Sequence, residues 1–237
     1  MTIDEQYTYI GNELALFATA VNYKRYLASY LKPFIVGDVL EIGSGIGANI
    51  PFLMNEAVRS WSSLEPDTTL LSQVPCSING LKIIKINGTT ANIEDNKYNT
   101  ILYIDVLEHI ADDTKEIWRA VTLLDVNCEY RGRIVIAAPA HEYLFSAFDK
   151  NIGHVRRYTA PSIAALVPDG FTVRKIFYLD SVGYFLSFAN RFLLKQNNPT
   201  RRQIAFWDTI IIPLSKIFDR ILLNKFGKTV VAIFEAK

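Results

Sequence analysis

The chain has 237 residues, half of them hydrophobic, and its 25 Lys+Arg against 24 Asp+Glu leave a formal net charge of +1. That length suits one α/β domain with additions, and so even a balance excludes the concentrated basic face of a nucleic-acid binder. Two cysteines, Cys76 and Cys128, lie far apart with no metal-like spacing, so they read as free thiols of a reducing cytoplasm, and no metal site is expected.

The N-terminus, MTIDEQYTYIGNEL, has no basic n-region and no unbroken apolar stretch, so no signal peptide is expected. Residues 12–31 place Leu16, Tyr23, Tyr26, Leu27 and Tyr30 at helical spacing, and Pro33 stops that helix. Asp38–Ile42 reads as a buried strand running into Glu41-Ile42-Gly43-Ser44-Gly45-Ile46-Gly47, with a helix from Gly47 to about Ala57. Trp61–Leu64 is a second strand ending at Glu65-Pro66, and Leu81–Ile86 a third ending at Asn87-Gly88. Asn99–Ile104 is a fourth, ending at Asp105; a helix follows over Asp112–Leu124, with Asp112 or Asp113 as its N-cap. Arg133–Ala137 is a fifth strand closed by Pro139, Phe171–Leu179 a sixth, and Thr229–Glu235 the last.

Strands alternating with helices imply parallel βαβ units and an α/β doubly wound sheet. Seven strands are expected, mostly parallel, with an antiparallel last strand. The chain then divides into a helical cap (1–33), a core (34–180), an apolar helical insertion (181–226) and the last strand (227–237), all within one domain. Arg191, Arg201, Arg202 and Asp208 interrupt the insertion, so neither Ser181–Leu194 nor Ile204–Leu214 reaches the ~20 apolar residues of a membrane span. Lys195–Arg202, with Asn197-Asn198-Pro199, reads as a polar turn between its helices.

Right-handed crossovers put the C-terminal ends of the parallel strands on one edge, where open α/β sheets bind ligands. The glycine loop is a row of backbone nitrogens at that edge, and glycine permits positive φ and close approach of a ligand. Its spacing is GxGxG, with Glu41 two places before the first glycine. A pyrophosphate at a helix N-terminus favours freedom from negative charge. A cofactor carrying an ammonium and a sulfonium tolerates the acid. Glu65 stands where a carboxylate accepts both ribose hydroxyls.

VLEIGSGIG, SSLEP, ILYIDVLEHI and GRIVIAAP together resemble the motif series of class I, Rossmann-like S-adenosylmethionine-dependent methyltransferases, near the small-molecule branch of the ubiquinone-biosynthesis O-methyltransferases. The resemblance covers about residues 36–180. It implies S-adenosylmethionine as cofactor and S-adenosylhomocysteine as product. It implies that Glu41 orients the methionine part, that Gly43, Ser44, Gly45 and Gly47 pack on the cofactor, and that Glu65, with Pro66 beside it, binds the ribose. Thr89 and Thr90 stand at the adenine side, where the family often has an acid, and Asp105 and Val106 face the methionine part, with His109 nearby.

Methyl transfer needs the nucleophile held in line with the sulfonium methyl, and a hydroxyl nucleophile benefits from a base such as histidine. His154 sits in Phe148-Asp149-Lys150-Asn151-Ile152-Gly153-His154-Val155-Arg156-Arg157-Tyr158. Residues 141–158 are expected to form a lid over the methyl donor, with His154 as base or substrate orienter and Arg157 and Tyr158 shaping the site. A structural loop held by Arg–Asp pairs is the competing reading. The acceptor is expected to be a small hydrophobic or amphipathic molecule methylated at oxygen. Open alternatives are transfer to carbon or nitrogen, another S-adenosylmethionine-dependent reaction, or a non-catalytic cofactor-binding module. A nicotinamide dehydrogenase is weaker, since its fingerprint places the third glycine one residue later. The helix at 12–31 and the apolar insertion are expected to cover the substrate side of the cleft; core or a homodimer interface is an equal alternative, and contact of the Lys195–Arg202 stretch and its neighbours with an anionic membrane surface is a weaker one.

Overall fold

A computed structural model describes residues 9, 11, 13–94, 97–125, 130–191 and 199–237. Its sheet comprises β1 (Gly37–Ile42), β2 (Val58–Glu65), β3 (Ser77–Ile78), β4 (Leu81–Asn87), β5 (Thr100–Ile104), β6 (Arg133–Pro139), β7 (Phe171–Leu179) and β8 (Thr229–Ala236). Their order is β3-β4-β2-β1-β5-β6-β8-β7. β4, β2, β1, β5 and β6 pair in parallel, and β8 runs antiparallel between β6 and β7. The antiparallel last strand is as expected. The eighth strand is the two-residue β3, which folds back antiparallel on β4 through the turn at Asn79-Gly80, both at positive φ.

Helices cover both faces. On one lie α1 (Leu14–Ala18), α2 (Val21–Leu31), α3 (Ile50–Leu53), α4 (Thr68–Gln73), α9 (Arg201–Phe206) and α10 (Ile212–Ile221), burying Leu31, Trp61, Val135 and Ile212. On the other, α5 (Asp113–Leu123) and α7 (Ala160–Ala164) press Ile117, Ala120, Leu123 and Ile163 against Leu40, Ile101 and Ile134. α6 (Ala147–Asn151) crosses the ligand edge, and α8 (Ser181–Ala189) opens the insertion. Burying one stripe of each helix against the sheet is the main stabilising term.

Two expected elements differ. The helix over 12–31 is two helices, because the chain breaks at Thr19-Ala20 and α2 restarts on a distant cap: the Asp208 carboxylate accepts from the N–H groups of Asn22 (3.1 Å) and Tyr23 (2.8 Å). The helix from Gly47 to Ala57 shrinks to α3, a single turn. Asn55 ends it, donating to the Leu53 (3.3 Å) and Ile35 (3.2 Å) carbonyls and accepting from Ala57 N–H at 2.9 Å, which turns the chain into β2. Asp112 is the N-cap of α5, accepting from Lys115 N–H at 3.0 Å.

The insertion is pinned by buried acids. Asp180 accepts from the Trp207 indole (2.8 Å), Ser215 (2.7 Å) and Gly183 N–H (2.9 Å); Asp219 accepts from Tyr26 (2.6 Å) and from the N–H groups of Asp180 (2.7 Å) and Ser181 (2.9 Å). No helix among the described residues is long and apolar enough to cross a membrane. The first part of the Lys195–Arg202 turn, with Asn197 and Asn198, lies outside the described residues, as does Cys128. Cys76 is free and exposed.

Candidate active site

The turn after β1 carries three glycines at positive φ: Gly43 (62°), Gly45 (54°) and Gly47 (72°). At Gly43 the need is steric as well, since a Cβ there would stand 2.7 Å from Val106 Cγ2. Gly45 N–H donates to Glu65 Oε2 at 2.8 Å, and Asp67 N–H to Glu65 Oε1 at 3.0 Å, so the acid at the end of β2 braces the glycine turn. Burial raises the Glu65 pKa against those two bonds.

Around this turn opens a cavity of about 570 Å³. Gly43, Gly45, Glu65, Pro66, Thr89, Thr90, Asp105, Val106 and His109 all line it. Thr90 is held by α5, its hydroxyl donating to Glu116 at 2.9 Å. Three expected contacts do not line the cavity. Glu41 is buried behind the turn, accepting from the Trp61 indole at 3.2 Å, and burial lifts its pKa to about 8. Ser44 is buried with a hydroxyl that finds no partner among the described residues. Gly47 tightens the turn, donating to Ser44 O at 2.9 Å, and faces Ile50, Val74 and Pro75.

Asp105, His109, Tyr9 and Leu14 also line a second cavity of about 180 Å³, so the two adjoin. Phe17, Tyr23, Phe148 and Trp207 give the second cavity apolar walls. Its polar wall holds Glu108, His109, Asp149, His154, Arg157 and Lys228. The segment 141–158 therefore walls this second cavity; the first is lined by none of its residues. His154 Nδ1 is 2.9 Å from Asp149 Oδ1, and Arg157 grips both oxygens of the same carboxylate, each at 2.9 Å. Burial opposes the Asp149 charge, yet the bonds from His154 and Arg157 hold its carboxyl well below the usual range. Burial, with His154 beside it, pushes His109 down to about 4.

Tyr158 reaches neither cavity. It is buried, donating to Asp113 (2.7 Å) and the Leu107 carbonyl (3.3 Å), and Arg156 also pairs with Asp113. The Arg–Asp pairing of the structural-loop reading is thus present, and it also orients His154. Glu108, Asp149 and Lys228 were not singled out from the sequence. Glu108 lies inside the LEHI motif and Asp149 in the same basic cluster as His154, but no local spacing marks either as a partner of His154.

No protein-family model matches the chain, and no curated protein sequence matches it. Solved structures do. A methyltransferase from Thermotoga maritima superposes with a TM-score of 0.59 at 14% identity, covering 95% of each chain. The plantazolicin methyltransferase BpumL, solved with S-adenosylhomocysteine, gives 0.57 at 12% identity, covering 95% of this chain and 86% of its own. The N-methyltransferase NodS from Bradyrhizobium japonicum WM9, also with S-adenosylhomocysteine, gives 0.55 at 13%, covering 92% and 88%. The chain has the class I methyltransferase fold. In this methyltransferase fold the glycine turn and Glu65 sit at the C-terminal edge of the parallel strands, where both cavities open.

Proposed function

We propose that this chain transfers a methyl group from S-adenosylmethionine to oxygen on a small hydrophobic or amphipathic acceptor. The observation that carries the reading is the junction of the cavities at Asp105 and His109: a roomy pocket on a glycine turn adjoins a smaller, aromatic-walled one. The first takes the cofactor. Gly43 and Gly45 let its backbone approach, Glu65 accepts from the ribose hydroxyls, Pro66, Thr89 and Thr90 line the adenine side, and Asp105 and Val106 face the methionine part. Glu41, Ser44 and Gly47 act from behind the turn by fixing its shape.

The acceptor occupies the second cavity, its oxygen directed at the sulfonium methyl. The oxygen's electron pair forms the new C–O bond, the methyl–sulfur bond breaks towards sulfur, and S-adenosylhomocysteine leaves as a neutral thioether. His154 serves as base or orienter for the acceptor hydroxyl. Asp149 positions it, Arg157 steadies Asp149, and Tyr158 braces the segment from outside. The polar histidine and carboxylate wall favours oxygen as target, since an ionising hydroxyl needs a proton acceptor nearby.

The outer face of the insertion exposes Phe185, Phe206, Ile217, Ile221 and Leu223 beside the exposed Arg201, Arg202, Arg220 and Lys225, while Asp180, Asp208 and Asp219 are buried. This combination supports peripheral contact with an anionic lipid surface as part of the same reading. Cosedimentation with anionic but not zwitterionic vesicles checks it; dimerisation at the same face is the outcome opposing it. The reaction itself is tested with methyl-labelled donor and a panel of phenolic, isoprenoid and lipid-linked hydroxyl acceptors. Label recovered as an O-methyl ether supports the reading. Label on nitrogen or carbon, or no labelled product, counts against it.

A further inference from the structure

Glu108 is wholly buried, and neither of its carboxylate oxygens accepts a hydrogen bond from another described residue. A carboxylate left so is costly unless something neutralises it. The turn Leu107–His109 after β5 places it beside His109, and Val155 N–H donates to its backbone carbonyl at 2.9 Å, drawing the His154 segment against it. The His109 and His154 rings stand 4.6 Å apart, nearly perpendicular at 84°.

The orientation of His154 is informative. Its Nδ1 faces the Asp149 carboxylate, an acceptor, so that nitrogen carries the proton in the neutral ring. The lone pair is then on Nε2, which lies 3.6 Å from Glu108 Oε1, too long for a hydrogen bond. That lone pair and the Glu108 carboxyl therefore face each other with no other described residue between them. A histidine whose other nitrogen donates to a carboxylate is also the usual support of a metal-binding imidazole.

We propose that Glu108, His109 and His154 bind a divalent transition-metal cation at the junction of the cavities. One ligand atom from each lies within 4.8 Å of the others. Ligand atoms around a tetrahedral ion with bonds of about 2.1 Å stand about 3.4 Å apart, so small side-chain adjustments close the site. Two nitrogens and one oxygen suit Zn²⁺, Co²⁺ or Fe²⁺ rather than Ca²⁺ or Mg²⁺. The three protein ligands leave coordination positions towards the second cavity, which all three residues line. This inference rests on the methyl-transfer reading for its use: the acceptor would be one whose oxygen ligates a cation, and His154 would orient it through the ion rather than serve as base.

The test uses the full chain with any affinity tag removed, since it holds only three histidines. The protein is stripped with chelator and titrated with Co²⁺, reading d–d absorption. We expect bands that saturate at one equivalent, unchanged in His141→Gln and at least tenfold weaker in Glu108→Gln and His154→Gln. Absence of the bands, or unchanged binding in a folded Glu108→Gln protein, overturns the proposal. Should both variants fail to fold, one equivalent of Zn²⁺ added to the wild type must shift the ring ¹⁵N signals of His109 and His154 and leave His141; no shift overturns it equally. S-adenosylhomocysteine binding is measured on the same metal-free sample. Cofactor binding without Co²⁺ binding removes only the cation site, and Co²⁺ binding without cofactor binding removes only the methyl-transfer reading.

Discussion

Asp149 and His154 form a buried pair, Oδ1 to Nδ1 at 2.9 Å, that fixes which edge of the imidazole faces the second cavity. The proton belongs on Nδ1, which leaves Nε2 free to act on an acceptor. Asp149→Asn destroys that preference, because an amide can donate as well as accept. We expect turnover to fall by about 10²-fold while the thermal shift given by S-adenosylhomocysteine is retained. Ring ¹⁵N signals of His154 report the tautomer directly, and a wild-type Nε2–H form would contradict the assignment.

Glu65 accepts one N–H on each oxygen, from Gly45 and Asp67, and faces the larger cavity. Glu65→Ala leaves both donors unpaired and removes the ribose acceptor. Bonds to charged groups contribute about 1.5–3 kcal/mol each, so S-adenosylhomocysteine affinity should fall at least about tenfold. Calorimetric titration of the variant checks this, and unchanged affinity would place the ribose elsewhere.

Gly43 combines a φ of 62° with a Cβ position 2.7 Å from the Val106 side chain. Gly43→Ala incurs about 1–2 kcal/mol from the backbone alone and displaces Val106 from the cavity wall. A lower melting temperature together with weakened cofactor binding is expected. The double change Gly43→Ala/Val106→Ala should recover part of the binding, because it removes the side chain the new methyl meets.

Glu41 has its pKa raised by burial to about 8, against an ordinary value of 4.5. Between those values the folded state keeps a proton that the unfolded chain has released. Stability therefore falls as pH rises from about 4.5 to about 8, by up to about 1.4 kcal/mol per pH unit for this group, and stays level above. Glu41→Gln should flatten that part of the curve. Denaturant unfolding of both proteins at pH 5, 6, 7 and 8 measures the difference; parallel curves would show that Glu41 is ionised when folded.

Much of the fold was legible because its signals are local. The strands end where Glu65, Asn87, Asp105 and Pro139 mark them, and GxGxG requires a positive-φ turn. What stayed hidden depends on partners distant in sequence. The break before α2 is set by Asp208, 186 positions from Asn22. The charges that interrupt the apolar insertion include Asp208, the acid that ties it to the start of α2. At the site, Gly43, Gly45, Glu65, Asp105 and His109 were readable from motif and strand end. Which carboxylate supports His154, and that the buried Glu108 carboxyl finds no hydrogen-bond partner among the described residues, depends on how the 141–158 segment folds back onto the β5 turn.

On the proposed function, the cavity on the Gly43–Gly47 turn binds a phosphate-free sulfonium cofactor. Thermal unfolding with S-adenosylhomocysteine and, separately, with NAD tests it most directly. At a ligand concentration of about 100 times Kd, binding to the folded state adds about 2.7 kcal/mol, enough for a clear rise in Tm. That rise is expected with S-adenosylhomocysteine and none with NAD. A rise with NAD and none with S-adenosylhomocysteine would contradict it.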